Sequence, residues 1–263
     1  MKLQERDYTI FLNDDERAAF ELEERIANRK GVKNNREFPR FSHQDEAVRE
    51  FLWHKRSLYP NNYLHLLEYK KLNLNEEADK YHDVIYSAKN EQEIQQYIKL
   101  NHKWFIPGSI FLDYNFGHHD AYLFPEQKLG NEYVADYMLL GKSLDGYSIV
   151  LVEFEKANTS YCLSSENMES ESVRKGLTQI KDWQRWMSKN QDYFLRNIGL
   201  TQKGIDIPIY RIYYYLVVSR RDYMDDLAHD IRSQTMYDMH NVKIVTFDRL
   251  EDNIRKLIMH HSW

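Results

Sequence analysis

The chain has 263 residues, a net charge of −5 from 36 Lys and Arg against 41 Asp and Glu, and 14% aromatic residues, 20 of them tyrosine. That length accommodates one large domain or a core with a smaller appendage, and the aromatic content excludes a disordered chain. The single cysteine, Cys162, excludes an intramolecular disulfide framework, the net charge excludes a global positive field, and no apolar run approaches membrane-spanning length. A local basic groove remains compatible with these numbers. The N-terminus MKLQERDYTIFLNDDE is too charged for a signal peptide, so a soluble, cytoplasmic protein is expected.

Residues 1–88 read as a mainly helical region, and 89–263 as the core. Asn13-Asp14-Asp15 can cap a helix from Glu16 to Arg29, with Gly31 as its stop. Ser42 and Asp45 open a second helix, which continues to Arg56. Tyr59-Pro60-Asn61-Asn62 breaks it, and helical pieces are expected over 62–71 and 75–87. No chemical motif appears in this part, which reads as an appendage packed on the core or on a partner.

Asn90 caps the next helix, whose Ile94, Tyr97 and Ile98 share a face. Glu93 stands where it completes a capping box, and also where a helical acid can face a metal cluster. Trp104 to Leu140 reads as antiparallel β-structure with turns at Gly117–Asp120 and Lys128–Asn131. His118, His119 and Asp120 lack zinc-ligand spacing and read as turn residues.

The chemistry concentrates between Glu132 and Asn158. Asp136 interrupts the apolar run Tyr133–Leu140, and Glu153 and Glu155 end the apolar strand Tyr147–Val152. Strand alternation aims Glu153 and Glu155 to the same side, with Phe154 opposite. Carboxylates so placed repel unless a cation lies between them, and hard oxygen donors suit Mg²⁺ or Mn²⁺. The alternative is a strand that frays after Val152 and leaves Glu153–Lys156 as a wet rim.

A polar loop with Cys162 precedes a long helix over about Glu166–Asn190, acidic at its start and basic toward its end. Val173, Gly176, Ile180, Trp183 and Met187 form its apolar stripe, with Gln179 at the border. Tyr210–Val218 reads as a strand, Arg220–Gln234 as a helix and Val242–Phe247 as a strand. Asp248–His260 reads as a helix with an Asp248/Glu251 capping box. The strand–helix–strand order makes a parallel pair, so the sheet is expected to be mixed, antiparallel part first.

A helical acid, a hairpin with Asp, then E-x-[K/E] and a further helix and strand follow the order of the PD-(D/E)XK restriction-endonuclease-like core. More specifically, residues 90–258 resemble the nuclease domain of the Shedu anti-phage family. The pieces are EQEIQQYIKLNHKW at Glu91–Trp104, LGNEYVADYML at Leu129–Leu139 and LVEFEKA at Leu151–Ala157. GLTQIKDWQRW at Gly176–Trp186, LVVSR at Leu216–Arg220 and VKIVTFDRL at Val242–Leu250 complete them.

The resemblance implies an α/β fold, a mixed sheet flanked by helices, with residues 1–88 as a regulatory or sensing appendage. It implies a Mg²⁺- or Mn²⁺-dependent endonuclease for double-stranded DNA, a homo-oligomer such as a tetramer, and a phage-derived trigger. Asp136 and Glu153 match its metal-binding acids, Glu93 the acid of its first helix with Glu91 close enough to compete, and Gln179 its helical glutamine. Its lysine position falls on Glu155, which is then a general base or a metal ligand. Lys156, Lys175 and Arg185 are expected to contact the nucleic-acid backbone. The alternative function is a catalytically weak or inactive sensor, or an oligomeric interaction protein, on the same fold.

Overall fold

A computed structural model describes residues 58–59, 62–64, 72–118, 120–163 and 168–257. The chain divides into two compact units, Met1–Tyr63 and Leu64–Trp263, and every element described below belongs to the second. The helices expected over Glu16–Arg29, Ser42–Arg56 and most of 62–71 lie outside the described residues.

Helix α1 (Leu74–Ser87) starts at Asn73 and buries Leu74, Ala78, Tyr81 and Ile85, one side of an amphipathic period. Helix α2 (Glu91–Leu100) follows at once and buries Ile94 and Ile98. Next comes a departure from expectation. Trp104–Asp113 is not β-structure: Phe105–Gly108 forms the short helix α3, continued by a 3₁₀ turn over Ser109–Asp113. Its residues favour strands by composition, yet Phe105, Ile106, Ile110 and Phe111 are all buried in one apolar core with α1 and α2. Packing has overridden local preference.

The sheet has five strands: β1 (Asp120–Leu129), β2 (Tyr133–Ser143), β3 (Gly146–Phe154), β6 (Ile212–Val217) and β7 (Val242–Val245), in the order β1-β2-β3-β6-β7. β1, β2 and β3 are antiparallel neighbours, and β3–β6 and β6–β7 are parallel. The expected mixed sheet is present. A small hairpin, β4 (Cys162–Leu163) with β5 (Met168–Glu169), stands apart from it. Gly146, at φ +113°, closes the β2–β3 turn in a conformation that strains any other residue.

One face of the sheet presents Leu123, Tyr137, Leu139, Val150, Val152, Phe154, Tyr215 and Val217 to a core shared with α1, α2, α3 and the last helix. The other face carries Met138, Leu140, Ile149, Leu151 and Leu216, also buried. On it lies α4 (Glu171–Asn197), which buries Val173, Gly176, Ile180, Trp183 and Met187. Burial on both faces explains why these strands read as continuous apolar runs. Helix α5 (Asp226–Asp238), capped by Asp225, links β6 to β7.

The closing helix α6 spans Phe247–Lys256 and starts from Thr246, without the expected capping box. Asp248 is buried and accepts the Arg221 backbone N–H at 2.6 Å instead. No helix among the described residues is long and apolar enough to cross a membrane.

Asp113 is the polar hub between sheet and α6. Its carboxylate accepts hydrogen bonds from Tyr215 Oη, from Arg249 Nε at 3.0 Å and from Asn253 Nδ2 at 3.3 Å. Its side chain is 4% exposed, so removing it strands the donors of three residues in or near the core. Asp113→Ala is expected to lower stability by about 2–4 kcal/mol in urea unfolding, the range for breaking one partner out of a buried polar set. A loss under about 1 kcal/mol would mean that water replaces the carboxylate.

Candidate active site

Asp136 sits where the sheet opens. The β2–β3 register runs to Tyr137 opposite Val152 and stops, and the β1–β2 pairing skips Glu126 and Asp136. Beyond the last rung, the Asp136 carboxylate takes over the ladder's work: Oδ2 accepts the Phe154 N–H at 2.7 Å. Gln95 of α2 also donates to it.

Glu153 and Glu155 point as alternation predicts, while Phe154 packs between Tyr137 and Phe247 in the opposite core. Both glutamates are buried, Glu153 at 6% and Glu155 at 1% exposure, so the wet-rim alternative is not what this strand end forms. The Glu155 N–H donates to Val217 O at 2.9 Å, which extends the β3–β6 pairing to the site.

Two helices complete the cluster. Glu91, the first residue of α2, contributes a carboxylate whose Oε2 is buried. Lys175, in the second turn of α4, lies 2.9 Å from Glu155 Oε1, donates to Oε2 at 3.1 Å and reaches within 3.9 Å of Glu91. Neither Glu91 Oε2 nor Glu153 Oε2 has a hydrogen-bond donor among the described residues. Buried carboxylate oxygens without donors are costly.

The electrostatics follow. Burial, then Asp136 and Glu155, push Glu153 up to about 10. Burial raises Asp136 to about 6 against the lowering hydrogen bonds from Phe154 and Gln95. Burial also raises Glu155, and Lys175 partly offsets it. Burial opposes the charge on Lys175, yet Glu155 and Glu91 raise it overall.

Among the described residues no group of three or more His, Cys, Asp or Glu side chains is drawn together as a ready metal cage. Here Asp136 is turned to the Phe154 amide and Glu155 to Lys175. The donors are nonetheless all oxygen, which suits Mg²⁺ or Mn²⁺, ions that use few carboxylates and keep several waters.

A cleft of about 710 Å³ runs beside the cluster between the start of β2 and α4, lined by Arg174, Lys175, Thr178, Gln179 and the acids Glu132, Glu171 and Asp182 among others. Lys175 and Gln179, four residues apart, share the helix face that borders it.

A family model described as Shedu protein SduA, C-terminal, matches residues 88–250, well over half of the chain. The chain belongs to the Shedu family. Shedu is a family of anti-phage defence proteins, and the match spans the sheet, the carboxylate cluster and the cleft. No curated protein matches the chain.

Within this Shedu domain Asp136, Glu153, Glu155 and Lys175 come together, with Gln179 one turn along the cleft. Glu93 does not join them. It is exposed, its N–H donates to Asn90 Oδ1 at 3.1 Å, and its Oε2 accepts the N–H of Lys89, the residue before the cap, at 3.0 Å, so it serves the helix start much as a capping box does. Glu91 occupies the cluster side of the helix. Lys156 is exposed and acts on Glu155 only at longer range. Arg185 is 71% exposed and paired with Asp182.

Sequence reasoning did not assign Gln95 or Arg174. The signal was available in spacing: Gln95 lies four residues after Glu91, and Arg174 adjoins Lys175. Cys162 is buried with its thiol raised by burial, the state of an inert cysteine.

Gly176 lets α4 approach. A Cβ there would stand 2.5 Å from Leu216 Cδ1 and 3.1 Å from Glu155 Cγ. Gly176→Ala is expected to destabilise by about 1–3 kcal/mol despite the better helix propensity of alanine, and to weaken divalent-ion binding measured by calorimetry.

A pH dependence also follows. Asp136 and Glu153 have raised folded values, so their contribution to stability is present below the ordinary carboxylate range and is lost as pH rises toward about 10. In EDTA the melting temperature is expected to fall from about pH 5 to about pH 9, and Glu153→Gln to flatten that fall and raise the midpoint at about pH 8 by roughly 2–6 °C. Mg²⁺ or Mn²⁺ should stabilise the unsubstituted chain more at the higher pH. Scanning calorimetry at several pH values checks all three.

Proposed function

We propose that this Shedu protein is a metal-dependent endonuclease of the PD-(D/E)XK type that hydrolyses phosphodiester bonds of double-stranded DNA in anti-phage defence. The observation that carries the reading is the pair of buried, donorless carboxylate oxygens on Glu91 and Glu153, beside Asp136 and a cleft lined by Arg174, Lys175, Thr178 and Gln179. A structural acid cluster would be expected to satisfy those oxygens.

Asp136 and Glu153 would hold Mg²⁺ or Mn²⁺, with Glu91 in place of Glu93 as the helical acid. When bound, such an ion lowers the pKa of a coordinated water and takes up charge on the scissile phosphate. Gln95 and the Phe154 N–H hold Asp136 in orientation, as outer-shell partners of a ligand do. Arg174 and Gln179 border the cleft and suit phosphate oxygens, which position a strand without reading its sequence. Removal of the water's proton falls to a cluster carboxylate or to solvent. As expected from the family, the working form is a homo-oligomer that answers a phage-derived trigger.

The test is cleavage of supercoiled plasmid, linear duplex, single-stranded DNA and RNA, each with Mg²⁺, Mn²⁺ or EDTA. Cutting of duplex DNA in metal, none in EDTA, and a loss of about 100-fold or more in Asp136→Ala and Glu153→Ala is expected. Cutting that survives both substitutions would refute the site. Metal binding without cutting of any substrate would favour a nucleic-acid sensor.

A further inference from the structure

On the nuclease reading, an acid stands at position 155, where the resemblance implies a lysine. Phosphodiester cleavage builds negative charge on the phosphate and its attacking oxygen, and a fixed positive group close to both lowers that barrier. A lysine at 155 would deliver its ammonium from the end of β3. The residue there is Glu155, 1% exposed and anchored through its N–H to Val217 O.

The ammonium arrives from the other side. Lys175 of α4 spans the cleft and the cluster: its side chain is 59% exposed, while its Nζ lies within 3.1 Å of both Glu155 oxygens and 3.9 Å from Glu91. It lines the cleft that Gln179 and Arg174 also line. Gly176, the next residue, has no side chain to hold α4 away from Glu155, so the approach is built into the backbone. By contrast, Lys156 and Arg185 make no ion pair with the cluster among the described residues.

Building on the nuclease reading, we infer that Lys175 supplies the active-site cation from α4, and that Glu155 is its anchor rather than the general base. The acid at 155 is then a compensated exchange. The charge has moved from the strand to the helix, and the carboxylate that replaced it fixes the new ammonium in direction. The same geometry makes Lys175 a competitor of the divalent ion for the cluster's negative charge.

Four forms of the 263-residue chain test this: unsubstituted, Lys175→Met, Lys175→Arg, and the double variant Lys175→Met with Glu155→Lys. Three quantities are read on each: Ca²⁺ affinity by calorimetry, duplex DNA affinity in Ca²⁺, and cleavage in Mg²⁺, with thermal midpoints to confirm folding. Lys175→Met is expected to bind Ca²⁺ several-fold tighter, to keep duplex affinity within about 3-fold, and to lose cleavage by about 100-fold. Lys175→Arg should retain part of the activity. The double variant should recover at least about 10-fold of the lost rate and return Ca²⁺ affinity toward the starting value.

A fall in duplex affinity that accounts for the whole loss in Lys175→Met would make it a backbone grip and overturn the inference. So would unchanged cleavage, or a folded double variant no better than the single one. If the unsubstituted chain cuts nothing, the nuclease reading falls by itself and the Ca²⁺ titration decides the placement. Tighter binding in Lys175→Met, reversed in the double variant, then supports Lys175 as the cluster's cation. Unchanged or absent Ca²⁺ binding overturns it.

Discussion

A set of carboxylates held out of water is the constraint around which this domain is arranged. Glu91, Asp136, Glu153 and Glu155 lie at one end of the sheet, and among the described residues Lys175 supplies their ion pairs. In a low-dielectric interior such a group is unfavourable by several kcal/mol unless cations and donors answer it. The answers found are partial. Asp136 has the Phe154 amide and Gln95, Glu155 has Lys175, and one oxygen each of Glu153 and Glu91 has no donor among the described residues. On the metal-dependent reading proposed above, a divalent ion would complete that incomplete set of partners.

The topology explains why the incomplete set arises at this place. β3 is the strand at which the sheet changes sense, antiparallel to β2 on one side and parallel to β6 on the other. β2 parts from β3 past Tyr137, whereas β6 stays with it through Val217 and the Glu155 amide. The β2 ladder ends on one edge of a strand whose other edge remains paired, so the carboxylates there stand on a rigid support just beyond the last rung. Helices α2 and α4 then bring early-turn residues, Glu91 and Lys175, to the same point. The close approach of α4 depends on Gly176, where a methyl group would strike Leu216.

Much of this was legible in the sequence because burial and charge conflict there. Acids that interrupt apolar runs, as Asp136 does in YVADYMLL and Glu153 after SIVLV, require an explanation that propensity does not supply. Less legible was the choice between Glu91 and Glu93. Both are acids in the first turn of α2, but the Asn90 cap occupies the third residue and leaves the first for the cluster. Asp248 likewise had the spacing of a cap and went to the Arg221 amide, a partner 27 residues away that local pattern cannot reveal. Trp104–Asp113 misled for a third reason: its aromatic and branched residues suit a strand, and only the shared core with α1 and α2 makes a compact helical turn the better burial. Lys175 was visible as a cation, though its link to Glu155 depends on α4 packing across β3, which is a tertiary fact.

The dimensions of the cluster are set by hydrogen bonds that lie outside it. Asn158, three residues after Glu155, donates from Nδ2 to Ile85 O at 2.9 Å and Ala88 O at 2.7 Å, which ties the β3 exit to the junction of α1 and α2. Its Oδ1 accepts from Arg220 Nε at 2.7 Å, and the Arg220 guanidinium stacks 3.6 Å over Tyr86. Ser219, at φ +65°, donates its N–H to Lys156 O at 2.9 Å and so fixes the same exit from the β6 side. A non-glycine residue in that region carries strain, which persists only where neighbours over-determine the backbone. Three segments distant in sequence are thereby held in register: the one that begins α2 at Glu91, the one that carries Glu155, and the end of β6. A shift in any of them would change the distance between Glu91 and Glu155, hence the reach of Lys175 to both. That coupling gives the buried Arg220 and the half-buried Asn158 a reason to be polar, since apolar residues of similar size would fill the space but leave the Glu91–Glu155 spacing to chance.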